Sequence, residues 1–317
     1  MDIVAMEELT SEQLWDLLTL AEQESQQLSK TLQGLGVALV MIDQSTRTRL
    51  STLRACAAKD ADVIEIDINK TQTPFGESFD DMISMITLYN DCVIIRDAKN
   101  TDNLQSWRKG QHCPVINALN KREHPTQALA DLLTMQQEFG RFRNLAVLYA
   151  GPINNTSRSL CLALAKVRIR RLTICAPPSL TDEADRQDLA RMFRSTPTSL
   201  SFFDTIRDVE HDGDRYDVFY ACRWASMGEM PLAQNWRDDV AETRISRRHL
   251  DTIGKPMSIV MHDLPAHRGE EIEGALLDSR ASRIIPQARN KIFSMAASLD
   301  YALGTAVRRP LSAEMGI

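Results

Sequence analysis

The chain has 317 residues, enough for two domains of about 100–200 residues each, with 43% hydrophobic and 25% charged residues. That composition excludes an intrinsically disordered chain, and no apolar run reaches the roughly 18 residues a membrane helix needs, so no membrane span is expected. A net charge of −6 argues against a broad nucleic-acid surface but leaves room for a local cluster that holds a small anion.

The first eight residues are acidic and carry no basic stretch followed by an apolar core, so no secretory leader is expected. Thr10-Ser11-Glu12-Gln13, followed by Leu14, Leu17 and Leu18, predicts a capped amphipathic helix. Residues 37–42 form a short, continuous, branched run and predict a buried strand. Further strands are predicted at 63–66, 92–95, 115–118, 145–149, 172–175, 218–220 and 257–261. Helical patterns fall between most of them, as at 78–88, 126–139, 157–165 and 182–193. This alternation predicts an α/β fold with parallel sheets. The glycine in Phe139-Gly140-Arg141-Phe142-Arg143-Asn144 closes a long helix before a strand restarts, which places the domain boundary at 140, with domains 1–140 and 141–317. The six cysteines, Cys56, Cys92, Cys113, Cys161, Cys175 and Cys222, form no C-x-x-C pair. Most lie in apolar stretches and read as reduced core thiols of a cytoplasmic protein rather than zinc ligands or a disulfide framework.

In open α/β sheets ligands bind beyond the carboxyl ends of the strands, so the chemistry is sought just after each one. After the first strand, Ser45, Thr46, Arg47, Thr48 and Arg49 open a helix. Read alone they form either an ordinary cap with surface arginines or a phosphate cradle; the density of hydroxyls and guanidinium groups favours the cradle. Arg96 ends another strand and read alone is either a surface arginine or a site residue. His124-Pro125-Thr126-Gln127 puts a histidine at a helix N-terminus, either as a cap or as a donor to a ligand oxygen, with Gln127 available to a carbonyl or an amide. Gly151-Pro152-Ile153-Asn154-Asn155 follows a strand without the G-x-G-x-x-G pattern of a dinucleotide site. Trp224-Ala225-Ser226-Met227-Gly228 and His262-Asp263-Leu264-Pro265 follow the last two strands. Adjacent residues on an extended chain point to opposite sides, and no ligand set with metal spacing exists, so His262 and Asp263 are read neither as a catalytic dyad nor as a metal site.

Taken in this order, from about residue 32 to residue 303, these segments resemble the aspartate/ornithine carbamoyltransferase family. The Asn-Asn turn and the Ser-Met-Gly loop are similar to its ornithine branch. The aspartate branch would show His-Pro-Leu-Pro in place of His262-Asp263-Leu264-Pro265, and a lysine where this chain has Phe75. The resemblance implies two doubly wound parallel-sheet domains of similar size, with the active site in the cleft between them. The first domain would bind carbamoyl phosphate and the second the amino-acid acceptor, with the C-terminal helix packing back on the first. Ser45, Thr46, Arg47 and Thr48 would hold the phosphate, while Arg96, His124 and Gln127 would address the carbamoyl group. The backbone carbonyl of Leu264, aimed by a cis bond before Pro265, would accept from the carbamoyl amide, and Lys291 would contact the same substrate. Asn155, Cys222, Ser226, Met227 and Asp263 would face the acceptor, with Arg96, His124, Gln127 and Asp263 as the catalytic set.

A neutral amine would attack the carbonyl carbon and phosphate would leave, without a metal or organic cofactor. The resemblance further implies a cytoplasmic homotrimer in amino-acid metabolism, such as arginine biosynthesis, with residues 69–75 reaching into a neighbour's site. The chain departs from the ornithine pattern in carrying Asp263 for a cysteine, Cys222 for an aspartate, Lys291 for an arginine and Pro152 for an aspartate. Two other readings therefore stand beside the first: a carbamoyltransferase for a different amine, such as another diamino acid, a diamine or an N-acylornithine, and a paralogue without turnover.

Overall fold

The predicted alternation becomes two separate all-parallel sheets. The protein is seen in a computed structural model that describes residues 1–71, 76–99, 107–108, 111–224, 237 and 240–305. The first sheet contains β1 (Gly36–Met41), β2 (Asp62–Ile66), β3 (Cys92–Asp97) and β4 (Val115–Asn120), in the order β2-β1-β3-β4. The second contains β5 (Ala146–Ala150), β6 (Arg171–Cys175), β7 (Ser199–Phe203), β8 (Tyr216–Ala221) and β9 (Gly254–His262), in the order β7-β6-β5-β8-β9. Every strand pairing is parallel. Parallel sheets are covered on both faces, which is why β4 and β5 read as unbroken buried runs.

In each sheet the chain first winds one way and then returns to wind the other. The strand order therefore reverses between β1 and β3, and again between β5 and β8. Such a reversal opens a crevice at the carboxyl ends of the strands, because the two following helices leave on opposite faces.

The helices are α1 (Ser11–Gln26), α2 (Thr46–Ala58), α3 (Phe79–Tyr89), α4 (Pro125–Phe139), α5 (Asn155–Lys166), α6 (Glu183–Phe193), α7 (Ile206–His211), α8 (Arg247–Ile253), α9 (Gly274–Leu277) and α10 (Ile284–Leu303). The capping box expected at Thr10 is present, with Thr10 Oγ1 accepting from Gln13 N at 3.1 Å and Gln13 Oε1 accepting from Thr10 N at 2.8 Å. Gly140 ends α4 in the left-handed conformation at φ 67°. Helix α10 packs on α4, α1 and α2. One apolar cluster runs through both halves, from Leu39 and Ile94 through Leu132 and Leu164 to Tyr220 and Leu299.

Two ionic links reinforce this packing. Lys59, at the end of α2, is fully buried; its Nζ lies 3.0 Å from Glu24 Oε1 of α1 and 2.5 Å from Asp300 Oδ2 of α10. Arg283, ahead of α10, donates twice to the Glu138 carboxylate of α4, at 2.6 Å each.

Strand β7 and helices α7, α8 and α9 carry no sequence expectation. Strand β7 lies at a sheet edge and its Ser-Leu-Ser-Phe-Phe run is only half-buried, so its apolar signal is diluted. Strand β9 begins three residues before its expected start and includes Pro256, which an edge strand tolerates because its missing N–H leaves no ladder bond unmade. All six cysteines are free and buried. Among the described residues, no helix is long and apolar enough to cross a membrane.

Candidate active site

The first reversal point is built by the β1–α2 turn and the end of β3. Ser45 caps α2, accepting from Thr48 N at 3.4 Å, and its hydroxyl lies 3.2 Å from Thr48 Oγ1. The partial positive charge of the α2 N-terminus is therefore presented beside hydroxyl groups. Strand β3 delivers Arg96 where its pairing with β4 slips by one residue, between Ile95 and Arg96. Such a slip re-aims the side chain that follows it. Asp43 then fixes the guanidinium: Arg96 Nε donates to Asp43 Oδ1 at 2.7 Å, while Asp43 Oδ2 accepts from Ala98 N at 2.6 Å. A second guanidinium nitrogen lies 3.5 Å from Thr48 Oγ1. Arg47 sits in the same field. Burial lowers its pKa, Asp263 opposes that, and Arg96 and Arg223 add to it. Asp43 and Arg223 carry no sequence expectation as site residues.

Helix α4 supplies the next group. His124 occupies its N-cap position but makes no side-chain cap bond, so the capping alternative does not hold. Its ring is buried, with Nδ1 3.4 Å from Thr126 Oγ1, and burial together with Lys291 and Arg96 holds its pKa well below the usual histidine range. His124 is thus a neutral imidazole at neutral pH. Its backbone N–H is held by Ser159 Oγ at 2.8 Å, and that hydroxyl in turn donates to the buried Glu123.

Gln127 is fixed at both ends. Its Nε2 donates to Asp131 Oδ1 at 2.8 Å, and its Oε1 accepts from Lys291 Nζ at 2.5 Å. Asp131 is fully buried and collects donors from both halves of the molecule: Gln127 from α4, Gln287 from α10 at 2.7 Å, and the Tyr220 hydroxyl from β8 at 3.0 Å. Desolvation pushes its pKa up to about 7 against those hydrogen bonds. Burial brings Lys291 down to about 8, with Asp131 and Asp263 opposing and Arg96 and Arg47 assisting. Gln287 Oε1 accepts from His262 N at 2.9 Å, so the same network also holds the end of β9. Asp131 could have been found from sequence as a carboxylate one turn after Gln127 on the helix's buried stripe.

The second reversal point brings the β5–α5 turn against the end of β8. Gly151 has φ 145°, and a Cβ there would lie 2.9 Å from the Cys222 carbonyl oxygen, so glycine permits the approach. Asn154 caps α5 and donates to Cys222 Sγ at 3.5 Å. Asn155 is turned elsewhere, its amide nitrogen donating to Asn120 O at the end of β4 at 2.8 Å. Cys222 Sγ lies 3.9 Å from Asp263 Oδ2, and burial, reinforced by that carboxylate, keeps the thiol protonated. Asp263 Oδ1 is buried and has no hydrogen-bond partner.

The chain turns after His262, so the two side chains do not point apart as an extended chain would require: His262 Nδ1 is 3.4 Å from Asp263 Oδ1. The ring nonetheless accepts the Leu264 N–H at 2.8 Å. Leu264 adopts φ 59°, and the Leu264–Pro265 peptide is cis. Ser226 and Met227 lie outside the described residues, as do positions 72–75. Among the described residues, no group of three His, Cys, Asp or Glu side chains could hold a metal ion.

Residues 1–137 match the carbamoyl-P binding domain of aspartate/ornithine carbamoyltransferase, and residues 143–302 match the Asp/Orn binding domain. An ornithine carbamoyltransferase from Nostoc punctiforme is 34% identical over 303 residues, 96% of this chain and 97% of that protein. The crystal structure of ornithine carbamoyltransferase from Gloeobacter violaceus superposes with a TM-score of 0.80 at 29% identity, over 96% of this chain and 98% of that one. The enzyme of the same name from Pyrococcus furiosus gives 0.86 at 28%, over 96% and 97%. An aspartate transcarbamoylase from Trypanosoma cruzi shares the fold, with a TM-score of 0.82 at 23% identity over 94% of each chain. The chain belongs to the aspartate/ornithine carbamoyltransferase family and is a carbamoyltransferase.

Proposed function

We propose that this carbamoyltransferase moves the carbamoyl group of carbamoyl phosphate to the side-chain amine of ornithine or a close analogue, giving citrulline or the equivalent ureido product and phosphate. The observation that carries this reading is the half-buried Asp263 carboxylate, which among the described residues has no cationic side chain bonded to it and lies within the field of Arg47 and Lys291. The cations suit a doubly negative acyl phosphate, and the partly exposed carboxylate suits a cationic amine. An aspartate acceptor would bring its own carboxylate towards Asp263 and be repelled.

In this reading Ser45, Thr46, Arg47 and Thr48 hold the phosphate at the α2 N-terminus. Arg96 and His124 donate to the carbonyl oxygen as it gains charge, while Gln127, Lys291 and the Leu264 carbonyl orient the carbamoyl group. Asp263 draws a proton from the acceptor ammonium, and the freed lone pair attacks the carbonyl carbon. The C–O bond to phosphate then breaks with its electron pair, and the second amine proton leaves with the phosphate. Ser226 and Met227 belong to the acceptor side of the same proposal, and Asn155 would join them only by releasing its bond to the Asn120 carbonyl.

The presence of Asp263 beside Cys222 also favours the second reading, in which the amine is another diamino acid, a diamine or an N-acylornithine. A panel of these amines with carbamoyl phosphate, read by phosphate release and ureido product, separates the two. Ornithine should give the highest kcat/KM and aspartate none. A diamine that outperforms ornithine establishes the second reading, and an absence of turnover on every amine removes both. A homotrimer is part of the proposal; its support is the edge strand β2, where Ile64 is 57% exposed, and the adjoining α2, where Leu50 is 61% exposed. Light scattering that finds an active monomer at assay concentration would overturn it.

A further inference from the structure

We propose that Glu271 is a positioning residue: by fixing the tautomer of His262 it aims the Leu264 backbone and keeps the imidazole from donating to Asp263, so that this carboxylate is not tied to the ring. The inference rests on the carbamoyl phosphate reading above and adds to it a group from outside the cleft.

The His262 and Glu271 side chains are both fully buried. His262 Nδ1 lies 2.8 Å from Leu264 N. A backbone N–H can only donate, so Nδ1 must offer a lone pair. In a neutral imidazole the proton then sits on Nε2, which lies 3.0 Å from Glu271 Oε1. Glu271 is suited to receive it. Desolvation would raise its pKa, but the bonds from His262 and from the His267 N–H, at 2.6 Å, outweigh that and hold the carboxylate below its usual range. Strand β9, the Leu264 turn and the loop that carries Glu271 are thus joined through one ring.

Two consequences follow from the position of that proton. The Leu264 N–H stays bound, which holds a non-glycine residue at φ 59°, a conformation that persists only where its surroundings enforce it. Asp263 Oδ1, 3.4 Å from Nδ1, meets a lone pair rather than a donor and remains unpartnered. With the proton moved to Nδ1, both effects reverse: the Leu264 N–H loses its acceptor, and Nδ1–H engages Asp263 Oδ1 and ties the carboxylate to the ring.

The test combines nitrogen NMR of histidine-labelled protein, assigned with His262→Asn, and steady-state kinetics. In the unaltered protein Nε2 should carry the proton and Nδ1 should not; the opposite pattern overturns the proposal whatever the variants do. Glu271→Met removes the acceptor at similar volume. It should shift the tautomer towards Nδ1–H and raise KM for both substrates about tenfold, the worth of one hydrogen bond, with a smaller change in kcat. Glu271→Gln keeps a carbonyl oxygen for Nε2–H and should restore the tautomer and most of the affinity. A Glu271→Met protein that retains both the Nε2–H signal and normal KM values refutes the idea. Should Glu271→Met not fold, the unaltered spectrum and the Glu271→Gln kinetics still decide it. Calorimetry with carbamoyl phosphate on the unaltered protein is read separately: absence of binding sinks the functional reading, whereas the nitrogen spectrum alone tests the tautomer.

Discussion

Lys291 shows how burial converts a side chain into a conditional charge. Its ammonium group is brought down to about 8 by desolvation, so it loses its proton as pH rises through that value. A doubly negative ligand reverses the balance and draws the proton back. Affinity for carbamoyl phosphate should therefore fall above pH 8, with proton uptake on binding, and calorimetry in buffers of different ionisation heat reads both. Lys291→Arg keeps its charge and should flatten that alkaline limb, while its planar fork loses the single bond to Gln127. The Cys222–Asp263 pair yields a second expectation. Asp263→Asn should lower kcat/KM for the amine far more than carbamoyl phosphate affinity, and Cys222→Ala should do less. Exchanging both residues should retain more activity than Asp263→Cys alone. A double-mutant cycle with no coupling between the two positions would dismiss a functional link across their 3.9 Å contact. Ser45 and Arg47 stand out in the sequence because their strand-to-helix turn carries more hydroxyl and guanidinium groups than a cap requires, whereas Arg96 and His124 stay ambiguous when read alone and enter through the resemblance. Asp131 shows in the sequence only as a carboxylate on a buried helical stripe, because its role comes from Tyr220 and Gln287, remote along the chain. Arg223 and Glu271 lie in loops with no periodic pattern and carry no local signal.

At the level of elements, the reversal points determine where those side chains can meet. Gly151 is the tightest of these joints, with its missing Cβ 2.9 Å from the Cys222 carbonyl oxygen. Gly151→Ala must either push the β5 turn away from β8 or carry a side chain at φ 145°. A loss of about 1–3 kcal/mol in urea unfolding is expected, with a larger rise in the acceptor KM than in the carbamoyl phosphate KM. Unchanged stability and kinetics would show that the turn relaxes freely. The central strands are legible because a parallel strand buried on both faces is one apolar run, as β1 and β5 are. The same rule explains the failure at β7, which alternates serine with apolar residues at an edge, and at α9, whose four residues are too short for a helical period to register.

At the scale of the whole molecule, the sheets are tied together by the last helix among the described residues. The ammonium group of Lys59 is shared between Glu24 and Asp300, with nothing exposed at Lys59. Lys59→Met leaves two buried carboxylates without their cation and should cost about 3–5 kcal/mol in chemical denaturation. Adding Glu24→Gln and Asp300→Asn should recover much of that loss, and a triple variant no more stable than the single one would refute the charge argument. Alternation of strands and helices suffices to announce the α/β class. It cannot announce that Asp300 completes α2, since no local pattern spans the 241 residues between Lys59 and Asp300. That separation also has a consequence for synthesis. At roughly 5–20 residues per second, a ribosome takes about 12–48 seconds to travel from one residue to the other. Once residue 139 has been added, the nascent amino-terminal domain has its strands and α4 but still lacks the helix that covers α1, α2 and α4, and its internal ammonium group has half its counter-charge. A force-sensing arrest sequence should accordingly register little tension when placed after residue 150 and strong tension once α10 has emerged. On this account the first half of the protein is made early and folds late.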